Sequence, residues 1–267
     1  SQERINLMKT PTGYILYEGK SLHQNAKHDI VVILITGNSA NKKTGNMMQL
    51  WIMLSDIDPV LANKLGFDIA ICGECPLKGI AHNDPTKKEA LNRTCYVNFQ
   101  TVRQIYRAYK KGNYPVMSPS DMSKKIRYNP IDVRRGIRFG AYGDPALIPS
   151  HVIDGLRSKL PKETGITAYT HQSNCQNANL DTSFMISCET LEQAKTQWDQ
   201  GRRTARTIKS IDDLQSNEMF CPATKEGGSR LQCFECKLCN AERDKRSIAW
   251  LPHGKEHAIN NLTLQLA

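Results

Sequence analysis

Ile137-Arg138-Phe139-Gly140-Ala141-Tyr142-Gly143-Asp144-Pro145 decides the fold: a short apolar, aromatic run that stops at a Gly-Asp-Pro turn reads as a β-strand ending abruptly. The downstream chain repeats that rhythm. His151 to Leu160 has helical spacing, Ile166 to Thr170 reads as a strand, and Phe184 to Cys188 as another. Leu191 to Gln200 is then a helix, Thr204 to Ile208 a strand, and Ile248 to Leu251 a last short strand. Upstream, Ile30-Val31-Val32-Ile33-Leu34-Ile35 is a buried strand and Gln49 to Leu54 a second. Asp56 to Leu65 is a short helix with Pro59 in its first turn and Gly66 beyond its end. Phe99 to Lys110 places Val102, Ile105, Tyr106 and Tyr109 at helical spacing, and Lys111-Gly112-Asn113 stops it. The segment up to Asp29 is polar and mixed and predicts no element. Alternating strands and helices call for parallel βαβ units, and the strand number predicts an α/β fold built as a full or partial (β/α) barrel. The expected organisation is a barrel-like domain over residues 1–210 and a Cys-rich metal-binding segment over 211–267 packed on it.

In such a fold chemistry gathers where strands end. The residues at those ends are Asp144, His171, Cys188 with Glu189, Lys209 and His253. A chain of 267 residues buries a full core without cross-links, so its nine cysteines are not needed as staples. No apolar run is long enough to span a bilayer, and no leader is recognisable at the start of the sequence. The expected compartment is therefore the cytoplasm, where close cysteine spacing points to metal or redox chemistry.

Seven cysteines form two groups. The C-terminal one is Cys221-Pro222 followed by Cys233-Phe234-Glu235-Cys236-Lys237-Leu238-Cys239. A C-x2-C-x2-C run wraps one short loop around successive corners of a four-iron cluster, and a distant Cys followed by Pro supplies the last corner. Zinc is the alternative at Cys221, Cys233, Cys236 and Cys239, because four thiolates also satisfy a tetrahedral ion. The other group is Cys72-Gly73-Glu74-Cys75-Pro76 with Cys95 further on. Three thiolates on a four-iron cluster leave one iron open; a fourth ligand from Cys175, Cys188 or a His would close it. Cys175 and Cys188 read individually as plain thiols.

These residues resemble the radical S-adenosylmethionine superfamily. Cys95-Tyr96 is similar to the last step of that superfamily's three-cysteine loop, and the strand into Gly143-Asp144-Pro145 is similar to its Gly-Glu-Pro-like turn. The C-terminal cysteines resemble its auxiliary-cluster extensions. With Thr44-Gly45 and Tyr169-Thr170-His171-Gln172, the set looks like an uncharacterised family often encoded by bacteriophages, which would place the protein in the host cytoplasm. The resemblance implies that Gly143, Asp144, Pro145 and His171 bind S-adenosylmethionine, with His171 or His253 positioning an unknown small or macromolecular substrate. The C-x2-C-x19-C spacing departs from the compact loop, and Asp144 stands where the superfamily has Glu. A degenerate, non-catalytic relative satisfies the same residues.

A second class of function comes from charge. Lys and Arg exceed Asp and Glu by 36 to 26, a formal charge of +10, which favours nucleic acid as a partner. The excess concentrates in Arg103, Arg107, Lys110, Lys111, Lys124, Lys125, Arg127, Arg134, Arg135 and Arg138, with Arg202, Arg203 and Arg206 further on. On this reading a cluster- or zinc-stabilised module without enzymatic activity would contact phosphates.

Overall fold

Nine strands share one sheet in the computed structural model, which describes residues 10–175, 177, 183–228, 231–240 and 246–252. The strands are β1 (Gly13–Gly19), β2 (Ile30–Ile35), β3 (Met48–Leu54), β4 (Ile137–Tyr142), β5 (Ile166–Thr170), β6 (Met185–Cys188), β7 (Thr204–Thr207), β8 (Glu218–Phe220) and β9 (Ser247–Trp250). Their spatial order is β1-β2-β3-β4-β5-β6-β7-β9-β8. From β3 onward every pairing is parallel, whereas β1 with β2 and β2 with β3 are antiparallel. The α/β class is as expected. The sheet is not closed: β1 and β8 are its edges, and among the described residues no pairing joins them. Residues beyond 211 supply β8 and β9 to the same sheet.

Strand sequence follows from position. Every residue of β3 is buried, as are Ile30 to Leu34 of β2, because both faces are covered; hence the unbroken apolar runs. β1 was hidden for the opposite reason. It is an edge strand burying only Tyr14 and Leu16 deeply, with Glu18 exposed, so its composition looks polar.

The helices are α1 (Pro59–Leu65), α2 (Ile69–Cys72), α3 (Phe99–Lys110), α4 (Pro119–Arg127), α5 (Pro130–Arg135), α6 (Ser150–Arg157), α7 (Leu191–Asp199) and α8 (Cys233–Cys236). Five of the caps are local and legible. Asp58, Asn98, Ser118, Asn129 and Thr190 each accept a backbone N–H at a helix start. Helix α7 identifies one face of the sheet: Trp198 Nε1 donates to Thr204 Oγ1 at 2.9 Å and to Ser247 Oγ at 2.8 Å. By alternation, Ala205 and Ile248 point to the opposite face. They join Met185 and Cys221 there in a second, smaller apolar cluster.

Arg135 ties the end of α5 to the loop between β2 and β3. It is buried, donating to Asn46 O at 2.6 Å, Thr36 O at 2.7 Å and Gly37 O at 2.8 Å, with Asp132 as counter-ion at 3.0 Å. Arg135→Ala strands three carbonyls and a buried carboxylate, so urea denaturation should show a loss of about 3 kcal/mol. Exposed Arg134→Ala should change stability by no more than about 0.5 kcal/mol. Equal midpoints for the two variants would contradict this role.

Candidate metal centres

The stretched spacing of the first cysteine group has a simple structural cause. After Cys75 the chain makes a turn at Pro76–Lys78, leaves, and returns through an antiparallel bridge in which Ile80 and Leu91 exchange both backbone bonds, at 2.8 and 2.9 Å. On its return Cys95 N donates to Leu77 O at 2.9 Å. The residues between are a side excursion, and Cys95 arrives beside the pair it was separated from. Asn63 fastens the excursion: it is buried, donates to Lys78 O at 2.8 Å and accepts from Ala90 N at 3.0 Å.

Cys72, Cys75 and Cys95 consequently interact electrostatically with one another. Burial pushes the Cys72 thiol well above its ordinary pKa, and Asp68 and the other two cysteines add to the rise. Burial likewise raises Cys95, against the lowering effect of Arg93. As bare thiols these groups stay protonated at neutral pH, and a bound metal is what would exchange those protons for coordination.

Tyr142 beside this group, Thr94 next to Cys95 in the chain and Trp51 on the neighbouring strand carry buried donors with no partner among the described residues. Tyr142, at the end of β4, feels Cys72, Asp68 and Cys95, and its hydroxyl makes no hydrogen bond there. Thr94 Oγ1, next to Cys95, and Trp51 Nε1, paired in register with Tyr142, are equally unsatisfied. Leaving such a donor buried and unpaired costs about 1–3 kcal/mol each. Sulfide and thiolate ligands of a cluster are acceptors of the kind these donors lack.

The ends of β4, β5 and β6 supply the rest. Gly143, at φ +80°, packs so tightly on β3 that a Cβ would lie 2.7 Å from Ile52 Cβ, which is why the turn needs Gly. Asp144 is buried and committed to internal bonds. It accepts from Ala146 N at 3.0 Å, His171 N at 2.9 Å and Gln172 Nε2 at 3.3 Å, and Pro145 behind it is buried. Burial raises the Asp144 carboxyl above the usual carboxylate range, opposed by hydrogen bonds from Thr170 and His171. His171 has Nε2 2.9 Å from Glu189 Oε1, and its ring lies beside Cys75. Gln172 is a site residue the sequence did not mark. Its side chain accepts from Glu74 N at 3.2 Å and donates to Cys72 O at 3.1 Å, clamping the cysteine loop to Asp144. Only contact across a hundred residues of sequence reveals that role.

The C-terminal cysteines assemble on the sheet face opposite α7. Cys221, Cys233, Cys236 and Cys239 line one pocket with Thr167 and Ile248. Cys221 follows β8, its N–H bonded to Ala249 O at 2.8 Å. The Cys233 loop is pinned by Cys233 N to Lys43 O at 3.0 Å, and Gln232 Nε2 to Lys42 O at 3.1 Å. Gly45 is required here, since a Cβ would meet Phe234 Cδ1 at 2.5 Å. Arg203 holds the loop's far end, donating to Leu238 O and Asn240 O. Burial pushes Cys239 up to about 12 and Cys233 to about 11, the latter opposed by Lys43 and Arg138. Tyr169 of β5 lies beside Cys239 and stacks edge-on to Trp250 at 5.8 Å.

All nine cysteines are free thiols. Among the described residues no three or more His, Cys, Asp or Glu converge closely enough to hold a single metal ion. Cys188 is buried, its thiol pushed to about 12 mainly by burial, and Cys175 approaches Ala146 O at 3.8 Å. Lys209 is exposed, and His253 lies outside the described residues.

Of the basic stretch, Arg107, Lys110, Lys111, Lys124, Lys125, Arg127 and Arg134 are exposed, and others are engaged. Arg135 is turned inward onto backbone carbonyls, Arg103 pairs with Asp58 at 2.8 Å, and Arg138 donates to Tyr96 Oη at 3.0 Å. Arg206 is buried against Glu218 at 2.6 Å. No helix among the described residues is long and apolar enough to cross a membrane. Comparison with known protein families, characterised proteins and solved structures finds no match for the chain.

The clamp is testable by amide exchange. Gln172→Ala removes two hydrogen bonds from the Cys72–Cys75 loop, so protection at Glu74 N–H should fall about tenfold while Cys236 N–H is unaffected. Unchanged protection at Glu74 would show that Gln172 does not hold the loop.

Proposed function

We propose that this is an iron–sulfur protein with two multi-iron clusters, one bound by Cys72, Cys75 and Cys95 and one by Cys221, Cys233, Cys236 and Cys239. The open sheet then serves as a partial (β/α) barrel whose strand ends carry the first cluster. The observation that carries the reading is the half-buried group of three thiols with the unsatisfied hydroxyl of Tyr142 beside it. These residues fit a group rich in sulfur acceptors. A single zinc ion needs all its thiolates about 2.3 Å from one point, whereas a cluster gives each thiolate its own iron, which the C-x2-C-x2-C run of Cys233, Cys236 and Cys239 suits.

When bound, such clusters supply one-electron chemistry at potentials set by charge, hydrogen bonds and burial. The chain's own residues set those terms. Tyr142 would donate to sulfur at the first site. Lys43 and Arg138 bring positive charge to the second, offsetting part of an anionic cluster. Asp144 and Gln172 hold the first loop in place and keep its amides oriented.

A second reading is favoured by one observation: only three cysteines serve the first site, and Gly143 to Pro145 lies at the same strand edge. On that reading the protein is a radical S-adenosylmethionine-like enzyme, with the cofactor on the open iron beside that turn. The Asp144 carboxylate is already spent on Ala146, His171 and Gln172, so backbone groups of the turn would have to make the contact.

Protein purified without oxygen should be brown, with iron and acid-labile sulfide in comparable amounts and a broad visible band bleached by dithionite. Colourless protein holding zinc would sink the proposal.

A further inference from the structure

We infer that the turn between α4 and α5 is a binding surface for single-stranded nucleic acid, with Tyr128 as the platform on which a base stacks; the inference is independent of the iron–sulfur reading above. The two helices divide their residues sharply. α4 buries Met122, Ser123 and Ile126, and α5 buries Asp132 and Arg135. Lys124, Lys125, Arg127 and Arg134 are left exposed, together with Tyr128, Asn129, Pro130 and Ile131. The charge of this surface is unbalanced. Between Lys124 and Arg135 the sole acidic residue is Asp132, which is buried and paired with Arg135 at 3.0 Å. Asp121 lies a turn away at the start of α4, where it accepts from Ser118 Oγ at 2.7 Å. Among the described residues Lys124, Arg127 and Arg134 have no ion pair, and Lys125 approaches the ring of Tyr14 at 5.8 Å.

Basic residues in the last turn of a helix also complement its dipole. That accounts for the charges and not for the ring among them. Four tyrosines lie between Arg103 and Arg138: Tyr106 and Tyr114 are buried, and Tyr109 is packed against the core and donates to Glu18 Oε1 at 2.7 Å. Tyr128 is 73% exposed, and Ile131 beside it in sequence is 62% exposed. The backbone that carries Tyr128 is fixed on both sides. Its N–H donates to Lys124 O at 3.2 Å, and Asn129 Oδ1 accepts from Ile131 N at 3.1 Å and Asp132 N at 3.4 Å. Binding therefore orders side chains and not the loop, which lowers its entropic cost.

An unpaired cation group around an exposed aromatic ring matches a partner that offers phosphates and free base faces together. A duplex offers the phosphates and hides the base faces. An anionic membrane would need a continuous apolar face, and here Tyr128 and Ile131 are separated by Asn129 and Pro130 and flanked by Arg127 and Arg134.

The test measures fluorescence anisotropy of a labelled oligothymidylate with the full chain prepared without oxygen. Binding should weaken with salt, with a log–log slope of about −3 for four phosphate contacts. Replacing Lys124 and Arg127 by Gln should flatten that slope by about 1.4. Tyr128→Ala should weaken binding about tenfold with the slope unchanged, and Tyr128→Trp should restore it. All these positions are exposed, so thermal midpoints should match the wild type. Oligouridylate should bind as oligothymidylate does, because the ring and the cations contact base and phosphate and not the sugar. Absence of binding at low salt, an affinity indifferent to Tyr128→Ala, or tighter binding to a duplex of the same length would overturn the inference. So would a strong preference for one sugar, or tighter binding to phosphatidylserine vesicles than to the oligonucleotide.

Discussion

The pleat of β5 is the constraint on which both candidate centres depend. Successive residues of a strand face opposite sides, and same-face neighbours stand about 7 Å apart. Thr167 and Tyr169 are two such neighbours, and His171 follows just past the strand's end. Thr167 lines the pocket of the C-terminal cysteines, Tyr169 lies beside Cys239, and His171 lies beside Cys75. The strand and the residue after it thus reach two thiol groups that are far apart in sequence. The other face of β5 is spent on the core, through Ala168 and Thr170. A slip of one residue in register would turn Tyr169 away from Cys239. The parallel pairing of Ile137 with Ile166 and Tyr169 with Met185 prevents it.

Two nests on one strand also fit the use proposed for them. Tyr169 and His171 stand next to each other between the groups, so the separation is set by the strand and not by a hinge. The buried thiols meanwhile carry a cost. Cys72, Cys95, Cys233 and Cys239 are all held above their ordinary pKa by burial, and Tyr142, Thr94 and Trp51 hold donors without acceptors among the described residues. A polypeptide that buries so many unsatisfied sulfur and donor groups gains by binding a group that satisfies them together, which couples folding of these loops to the cofactor.

Much of the frame was legible in the sequence because its signals are local. Ile30 to Ile35, Phe99 to Lys110, Ile137 to Tyr142 and Ile166 to Thr170 declare themselves by period and by the breakers at their ends. The elements that escaped depended on context. β1 is half-solvated, α4 and α5 are short and strongly charged, and the antiparallel start of the sheet leaves no mark that period alone can detect. The cysteine groups were visible as spacings. Cys95 was grouped with Cys72 and Cys75 from the sequence, but the Ile80 to Leu91 bridge that returns it was not legible, and neither were the Gln172 clamp or the burial of Arg135, which turns one basic side chain of the stretch inward.

The central claim is that each of the two thiol groups holds an iron cluster, and anomalous diffraction from anaerobically grown crystals tests it directly. Data collected on either side of the iron edge should give two separate iron peaks, one among Cys72, Cys75 and Cys95 and one among Cys221, Cys233, Cys236 and Cys239. A signal that appears only at the zinc edge, or no anomalous peak at either thiol group, would contradict the account.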